Sequence, residues 1–385
     1  MRIDLARTIE DTAALVRIDS QNPGALEAGC AAWVDRRLRE AHVPVTTLPV
    51  SDGRTNVVAR VAGRGGPRLV LLAHMDTVPI GDGWTVDPLS GVVHDGRLYG
   101  RGAADMKAGL AVALNLLEAL GQGPPPSGDV VLCATVDEEG PEMAGAHALV
   151  RGEVVRDGDQ VLALEPTGLR LRLAQIGLRW MELVAHGRMA HAGRAHLGVD
   201  ANRLVARIVE RLGERVAQLP HRDELLGRPL FTCGLVEGGV AVNVVPPACT
   251  ARFDIRFVPP LTSDDMVELV REVAESATAE FPGSSFELRA LGPARPPVRA
   301  AEDAQIVERL RDAYHQLTGE ALASGGADGH EAYTDASMIS ALTGSTTCTV
   351  FGPGSSDVAH TADEYVELQD IGIASRVLEG VLERW

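Results

Sequence analysis

Three apolar runs in this chain each end in imidazole or acidic side chains. His74 follows the first run, Glu138 and Glu139 follow the second, and Glu165 follows the third. Such runs are typical of buried β-strands, and ligand groups at the carboxyl ends of neighbouring strands build a metal site in the crevice of an open α/β sheet. The pattern therefore predicts a metal-dependent hydrolase.

A hydrolytic site with two metal ions needs imidazole and carboxylate ligands, a carboxylate that bridges ions ~3.5–4 Å apart, and a separate carboxylate that acts as a base. The candidate ligands are His74, Asp105, Glu139, Glu165 and His360. Glu138 is the candidate base. Asp76 lies two residues after His74, and this spacing puts both side chains on one side of an extended segment, so we expect Asp76 to orient the imidazole.

Each candidate also has an ordinary structural interpretation. His74 could be a strand-end histidine, and Glu138 and Glu139 could form a solvated turn. Asp105 stands directly before an apolar stretch that reaches about Leu120, so it is predicted to be the N-cap of a helix. Because three strand ends and one cap all present suitable ligand types, a shared metal site is the better interpretation.

Length and element order predict two domains, since 385 residues exceed one comfortable core. Strands that alternate with helical stretches are predicted near 56–61, 68–73, 129–136 and 160–164. This alternation is typical of an α/β fold in which helices cover a sheet. We assign residues 1–170 and 292–385 to a discontinuous catalytic, metal-binding domain, and residues 171–291 to a smaller inserted domain.

The inserted domain has a different pattern. Its predicted elements are a strand from 169 to 184, a helix at 200–218, strands near 228–236 and 248–257, a helix at 263–279 and a strand at 284–291. The order β-α-β-β-α-β is ferredoxin-like, an α+β arrangement. Between Cys249 and Phe257 apolar and polar residues alternate, so one face of that strand should pack and the other should meet solvent or a ligand.

Composition disfavours several classes of protein. The formal net charge of −17, from 36 basic and 53 acidic residues without a basic cluster, argues against a nucleic-acid partner. The five cysteines are scattered without C-x-x-C spacing, so we expect reduced thiols and a cytoplasmic protein. We find no signal-peptide pattern and no apolar run of the ~20 residues that span a bilayer, so no membrane partner is expected.

The order and spacing of these motifs resemble the peptidase M20 family, a family of deacylases, desuccinylases and carboxypeptidases. The segments that carry the resemblance are His74-Met75-Asp76-Thr77-Val78-Pro79, Gly100-Arg101-Gly102, Asp105-Met106-Lys107, Asp137-Glu138-Glu139-Gly140, Glu165-Pro166-Thr167, Gly352-Pro353-Gly354 and His360-Thr361-Ala362-Asp363-Glu364-Tyr365. Together they extend over nearly the whole chain, which makes the resemblance highly specific.

The resemblance implies a site with two zinc ions. His74 and Glu165 would hold one ion, Glu139 and His360 would hold the other, and Asp105 would bridge the two. Nitrogen and oxygen ligands accept cobalt and manganese as well as zinc, so the identity of the metal stays open.

The resemblance also implies roles outside the ligand set. Glu138 would deprotonate a water molecule shared by the two ions, and the inserted domain would serve as a lid and as the contact of a homodimer. His191 would stabilise the oxyanion, while Asn243 and Arg256 would bind the substrate carboxylate. His191 could instead be a solvated histidine in a glycine-rich loop, and Arg256 could pair with Asp254 on the exposed face.

Among relatives, a glutamate at position 165 goes with deacylases, so we expect removal of an acetyl or succinyl group from an N-acyl amino acid. A metallo-carboxypeptidase or dipeptidase that cuts short peptides is the alternative, and a catalytically inactive ligand-binding homologue is a remote one. Segment 325–335 departs from the shorter loop of relatives, which leaves the substrate-end pocket open. A serine hydrolase and a nicotinamide enzyme are disfavoured because the chain lacks G-x-S-x-G and G-x-G-x-x-G spacing.

Overall fold

The computed structural model describes residues 2–51, 53–325 and 332–385. The chain divides into two compact units. The first unit contains the described residues up to Ala174, together with Arg299–Gly325 and Thr334–Trp385, and the second has Gln175–Val298 as its main segment. None of the helices in these described ranges is long and apolar enough to cross a membrane.

The helices are α1 (Leu5–Val16), α2 (Ala28–Glu40), α3 (Ala108–Gly121), α4 (Ala144–Arg151), α5 (Ala201–Ala217), α6 (Ser263–Thr278), α7 (Gln305–Thr318), α8 (Asp335–Thr343) and α9 (Leu368–Leu382). The strands are β1 (Val45–Ser51), β2 (Arg54–Val61), β3 (Gly66–His74), β4 (Val92–His94), β5 (Arg97–Tyr99), β6 (Gly128–Thr135), β7 (Gln160–Ala163), β8 (Ala174–Gln175), β9 (Gly177–His186), β10 (Ala190–His191), β11 (Leu230–Gly238), β12 (Val244–Val245), β13 (Ala248–Phe257), β14 (Ser285–Arg295), β15 (Val298–Arg299), β16 (Cys348–Val350) and β17 (Tyr365–Glu367). A π-helical turn, Ala103–Lys107, precedes α3, and a 3₁₀ turn, Ala192–Leu197, follows β10.

The first unit is built on a six-stranded mixed sheet with the strand order β1-β2-β6-β3-β7-β16. Strands β6, β3, β7 and β16 run parallel, whereas β1 and β2 pair antiparallel at one side. The central strand β3 is buried from Leu69 to His74 because helices cover both of its faces, which explains its continuous apolar run. The carboxyl ends of β3, β6 and β7 therefore meet at one edge of the sheet.

Helix α3 packs directly on this sheet and also contacts α1 and α9. Small and apolar residues on all of its sides bury nearly its whole length. Gly109 marks the closest approach, because a Cβ atom at this position would lie only 2.1 Å from the carbonyl oxygen of Leu164. The helix thus holds the chain segment that follows β7 firmly in place.

The second unit is a four-stranded antiparallel sheet with the order β11-β13-β9-β14, and α5 and α6 pack on one face. Its core alternates along β13 as expected, since Cys249, Ala251, Phe253, Ile255 and Phe257 are buried. The order β9-α5-β11-β13-α6-β14 is ferredoxin-like. The predicted fold class, an α/β sheet covered by helices and interrupted by a smaller ferredoxin-like α+β domain, is confirmed.

Two local predictions need correction. The strand expected from 169 to 184 is divided into β8 and β9. The helix expected directly after Asp105 begins at Ala108, and Asp105 lies in the π-helical turn with φ −117° and ψ 95°. Its carboxylate is therefore not an N-cap. Instead it contacts His74 and His360, because the turn aims the side chain away from the helix terminus.

Candidate metal centre

The sheet edge brings the candidate ligands of the first unit together. His74 is the last residue of β3, Glu139 follows β6 in a tight turn, and Glu165 lies two residues after β7. Asp105 comes from the π-helical turn before α3, and His360 comes from the loop between β16 and β17. Parallel strands end at the same edge, so ligands that are far apart in sequence converge there.

The five side chains form two trios that share one carboxylate. His74, Asp105 and Glu165 make the first trio, and Asp105, Glu139 and His360 make the second, with all ligand atoms of a trio within 4.8 Å of one another. The Oδ1 atom of Asp105 lies 3.1 Å from Nε2 of His74, and its Oδ2 atom lies 3.3 Å from Nε2 of His360. One carboxylate thus presents an oxygen to each trio.

The remaining distances fit the same division. Nε2 of His74 lies 3.7 Å from Oε2 of Glu165, and Nε2 of His360 lies 2.9 Å from Oε1 of Glu139. His74 is buried, whereas the side chain of His360 is 50% exposed. The first trio is therefore enclosed by the sheet, and the second stands at its rim.

Asp76 contacts His74 differently from the expectation. Nδ1 of His74 lies 2.9 Å from the backbone carbonyl oxygen of Asp76, and the carboxylate is 3.7 Å away. The carboxylate instead accepts hydrogen bonds from the backbone N–H groups of Glu138 and Glu139. Donation from Nδ1 to the carbonyl points Nε2 at the ligand cluster, so in a neutral ring the Nε2 lone pair is available to a metal ion. The backbone of Asp76 thus orients the ring, and its side chain holds the turn after β6.

Glu138 lies beside both trios without completing either of them. Its Oε2 atom is 3.9 Å from Nε2 of His74, and the side chain is 9% exposed. With His74 and Glu139 it forms a third group whose ligand atoms lie within 4.8 Å of one another. A carboxylate in this position can reach a small molecule bound between the two trios without belonging to either trio.

The crowded carboxylates and imidazoles of the cluster shift one another's pKa values. Burial alone would raise the pKa of Asp105, but hydrogen bonds from His360 and His74 outweigh burial and lower it. Hydrogen bonds to Asp105 and Glu139 raise the pKa of His360 to about 10. Burial would lower the pKa of His74, yet its hydrogen bonds to Asp105 and Glu165 raise this pKa well above the usual value. Without a bound cation, the surrounding carboxylates thus favour the protonated form of both imidazole rings.

The three glutamates of the cluster have raised pKa values, in contrast to Asp105. Burial, reinforced by neighbouring carboxylates, raises the pKa of Glu138 well above its usual range and that of Glu165 to about 7. Burial also raises the pKa of Glu139, although the hydrogen bond from His360 opposes it. A divalent cation would remove this penalty by supplying the missing charge. Two imidazoles and three carboxylates are a donor set that fits zinc, cobalt or manganese.

A buried network that the sequence does not reveal supports the turn after β6. Nδ2 of Asn22 donates to Asp76 at 2.9 Å and to Asp137 at 3.2 Å. Arg54 donates to Asp137 at 2.8 Å and to Glu27 at 2.9 Å. Glu27 in turn accepts from the backbone N–H of Asp137. These partners are distant in sequence and follow no periodic pattern, so local signals could not have found them.

The segment expected at the substrate end is only partly described, because residues 326–331 lie outside the described residues. Asp335 begins α8 and is buried at 2% exposure. Burial raises the pKa of its carboxyl group to about 7. Negative charges of the neighbouring aspartates Asp76 and Asp137 act in the same direction. Asp335 therefore adds an acidic group close to the metal centre.

His191 and Asn243 lie close together in the second unit. His191 in β10 pairs with Val244 in β12, and the carbonyl group of Asn243 accepts a hydrogen bond from Ala192. Nδ1 of His191 accepts from the backbone N–H of Gly193 at 3.0 Å. In a neutral ring the proton is then on Nε2, which makes that nitrogen a donor.

Arg256 is already paired in this unit. Its guanidinium group donates to both carboxylate oxygens of Asp254 at 3.1 Å, and Trp180 donates to the same aspartate. Both members of the pair are about one quarter exposed. The contact matches the plainer interpretation of Arg256, and a substrate carboxylate would have to share the guanidinium group with Asp254.

Comparison with known proteins gives consistent results. The sequence model of "Peptidase family M20/M25/M40" matches residues 70–384. The succinyl-diaminopimelate desuccinylase of Rhodospirillum centenum is 32% identical to this chain, and the alignment covers 96% of this chain and 95% of that protein.

Solved structures with the same fold include a tripeptidase from Staphylococcus aureus, with a TM-score of 0.81, 22% identity and coverage of 100% of this chain and 99% of that one. A metallo-carboxypeptidase from Sulfolobus solfataricus has a TM-score of 0.83, 19% identity and 98% coverage of both chains. At these identities the two structures support the fold alone.

Proposed function

Since the chain belongs to peptidase family M20/M25/M40, we propose that it is a dinuclear zinc-dependent amidohydrolase that removes an acetyl or succinyl group from an N-acyl amino acid. The observation that carries the proposal is the pair of trios that share Asp105, with Glu138 beside them and outside both. This arrangement supplies ligands for two ions and a separate base at one sheet edge.

The ligands divide between the two sites as the trios do. His74 and Glu165 would hold one ion, Glu139 and His360 the other, and the two oxygens of Asp105 would each face one ion. When bound, two such ions polarise a carbonyl group and make a water molecule easier to deprotonate. Cobalt or manganese could take the place of zinc with the same donors.

Glu138 is proposed as the general base. Its carboxylate takes a proton from the attacking water, oxygen adds to the amide carbonyl, and the carbon–nitrogen bond breaks as Glu138 returns that proton to the leaving amine. The backbone N–H of Glu138 donates to Asp76, so the base is fixed at its main chain.

Roles in the second unit remain proposals that rest on motif resemblance. His191 would donate to the oxyanion. Because its Nδ1 atom accepts a hydrogen bond, the Nε2 atom of the neutral ring carries the proton that this donation requires. Asn243 and Arg256 would bind the substrate carboxylate. We propose that the second unit is the lid and dimerisation domain and that the protein is a homodimer.

Acyl removal is favoured over peptide cleavage by two observations. The chain is 32% identical to a succinyl-diaminopimelate desuccinylase over almost the full length of both proteins. The second is the glutamate at position 165, which the motif resemblance associates with deacylases. A carboxypeptidase or dipeptidase that cuts short peptides is the second candidate, because the family whose sequence model matches this chain is a peptidase family.

The test is hydrolysis of N-acetyl amino acids, N-succinyl-diaminopimelate and dipeptides by metal-stripped protein, before and after addition of Zn²⁺ or Co²⁺. We expect metal-dependent release of acetate or succinate. Glu138→Gln should bind Zn²⁺ as the wild type does but lose ~10²–10⁴-fold in turnover. Metal-restored cleavage of dipeptides alone would move the protein to the peptidase branch, and binding without any turnover would favour an inactive homologue.

A further inference from the structure

Glu364 is a buried carboxylate that touches none of the candidate ligands through their side chains. It is 0% exposed and lies four residues after His360. Its Oε1 atom accepts hydrogen bonds from the backbone N–H groups of Ala104 at 3.0 Å and Asp105 at 3.1 Å. A residue of the His360 segment is thereby attached to the backbone that carries Asp105.

Arg101 completes the attachment. Its Nη1 atom donates to Oε2 of Glu364 at 2.6 Å, and its Nη2 atom donates to the carbonyl of Ile80 at 3.0 Å. The guanidinium group also lies 5.1 Å from the centre of the Trp84 ring. The backbone N–H of Gly100 donates to the carbonyl of Glu364 as well. Both charges are buried, so the pair has one well-defined geometry.

The two trios depend on this attachment to different degrees. His74 is 1% exposed and belongs to the central strand β3, so the sheet itself fixes that ligand. His360 stands on a loop with its side chain 50% exposed, and packing holds it far less. The second trio therefore needs an anchor that keeps the His360 loop against the Asp105 turn.

We infer that Glu364, clamped by Arg101, is the positioning residue of the second trio, formed by Asp105, Glu139 and His360. The inference rests on the proposed function and deepens it, because it makes the two metal sites unequal. Loss of the clamp weakens mainly the rim site, because Asp105 still contacts the buried His74 of the enclosed site, whereas the His360 loop loses its attachment to the Asp105 turn. Residues that orient metal ligands typically change metal affinity ~10–100-fold.

The test is titration of metal-free protein with Zn²⁺ against a competing chelator. Wild-type protein should bind two ions. Glu364→Gln should bind one ion with unchanged affinity and the other ~10–100-fold more weakly. His360→Ala identifies the rim site, and the visible absorption of Co²⁺-loaded Glu364→Gln should lose the same band that His360→Ala loses.

Glu367→Gln is the matched control. Glu367 pairs with Arg97 at 2.8 Å where β17 pairs with β5, close in sequence to Glu364 and Arg101, but both side chains of this pair are 40% exposed. This variant should bind both ions as the wild type does. Circular dichroism of the metal-free proteins shows whether each variant is folded.

An unpaired Arg101 could unfold Glu364→Gln, and the double variant Arg101→Met with Glu364→Gln then takes its place because it removes both buried charges. Two ions bound with wild-type affinity by a folded variant overturn the inference and leave the proposed function intact. Equal weakening of both sites also overturns it. Wild-type protein that fails to bind two ions refutes the proposed function itself, and the inference with it.

Discussion

Replacement of Asn22 by alanine should destabilise the first unit by several kcal/mol, although Asn22 is not a ligand. Its amide group donates to two buried carboxylates, Asp76 at 2.9 Å and Asp137 at 3.2 Å. Asp76 holds the turn that carries Glu138 and Glu139. The substitution therefore removes the only side-chain amide described between the two carboxylates and loosens the turn after β6.

The magnitude follows from the number and type of hydrogen bonds lost. A hydrogen bond to a charged group contributes ~1.5–3 kcal/mol, so two such bonds correspond to about 3–6 kcal/mol. Asp76 keeps two backbone donors, and Asp137 keeps Arg54 and the N–H of Ala144. These remaining donors place the expected loss at the lower end, about 3 kcal/mol. Asn22→Asp should be worse, because it adds a third carboxylate where a donor stood.

The assay is urea unfolding of the metal-free protein, monitored by circular dichroism. A Zn²⁺ titration of the folded variants is the second measurement. Gln21→Ala is the control, since this neighbouring amide contacts Asp19 and Ile80 outside the metal centre and should cost ~1 kcal/mol. A loss below about 1 kcal/mol in Asn22→Ala, or equal effects of Asn22→Ala and Gln21→Ala, would show that the amide does not bridge the two carboxylates.

Two further predictions concern packing and charge. Hydrogen bonds from Arg252 and Arg289, which lie on the two neighbouring strands, lower the pKa of Glu182. The stabilising contribution of Glu182 is therefore present above the unfolded pKa of ~4.3 and is lost as pH falls through the lower folded pKa. Glu182→Gln should therefore cost ~1 kcal/mol at neutral pH in urea unfolding, and the difference from wild type should shrink below pH ~4; a constant difference would contradict this. Gly109→Ala should lower stability by at least ~1–3 kcal/mol and weaken Zn²⁺ binding, because the new methyl group would displace Leu164 next to Glu165. Gly121→Ala in the same helix has its nearest neighbour 3.7 Å away and should be neutral or stabilising.

Much of the fold could be predicted because its signals are local. The continuous apolar run of β3 predicts a strand buried on both faces, and the alternation from Cys249 to Phe257 predicts one packed face, as observed. The ligand types at strand ends predict a cluster, and the structure brings the five candidate ligands together in two trios that share Asp105. The ligands converge because the parallel strands β3, β6 and β7 end at the same edge of the sheet.

What could not be predicted depends on contacts between distant segments. Asn22 is 54 and 115 residues from its two partners, and Glu364 is 263 residues from Arg101. Neither contact has a period or a short motif. The expectation for Asp105 was wrong for a related reason: its carboxylate is held by two histidines from other segments, and their attraction prevails over the local preference of aspartate for a helix terminus.

The order of the ligands along the chain also has a consequence for biosynthesis. His74, Asp105, Glu139 and Glu165 emerge from the ribosome before the main segment of the second unit, and His360 emerges after it. At ~5–20 residues per second, the roughly 195 residues that separate Glu165 from His360 take on the order of 10–40 s to translate. During that interval the nascent chain carries the enclosed trio without the rim ligand. The same interval also delays β16 and α9, so the first unit is complete only after the C-terminal segment has been translated.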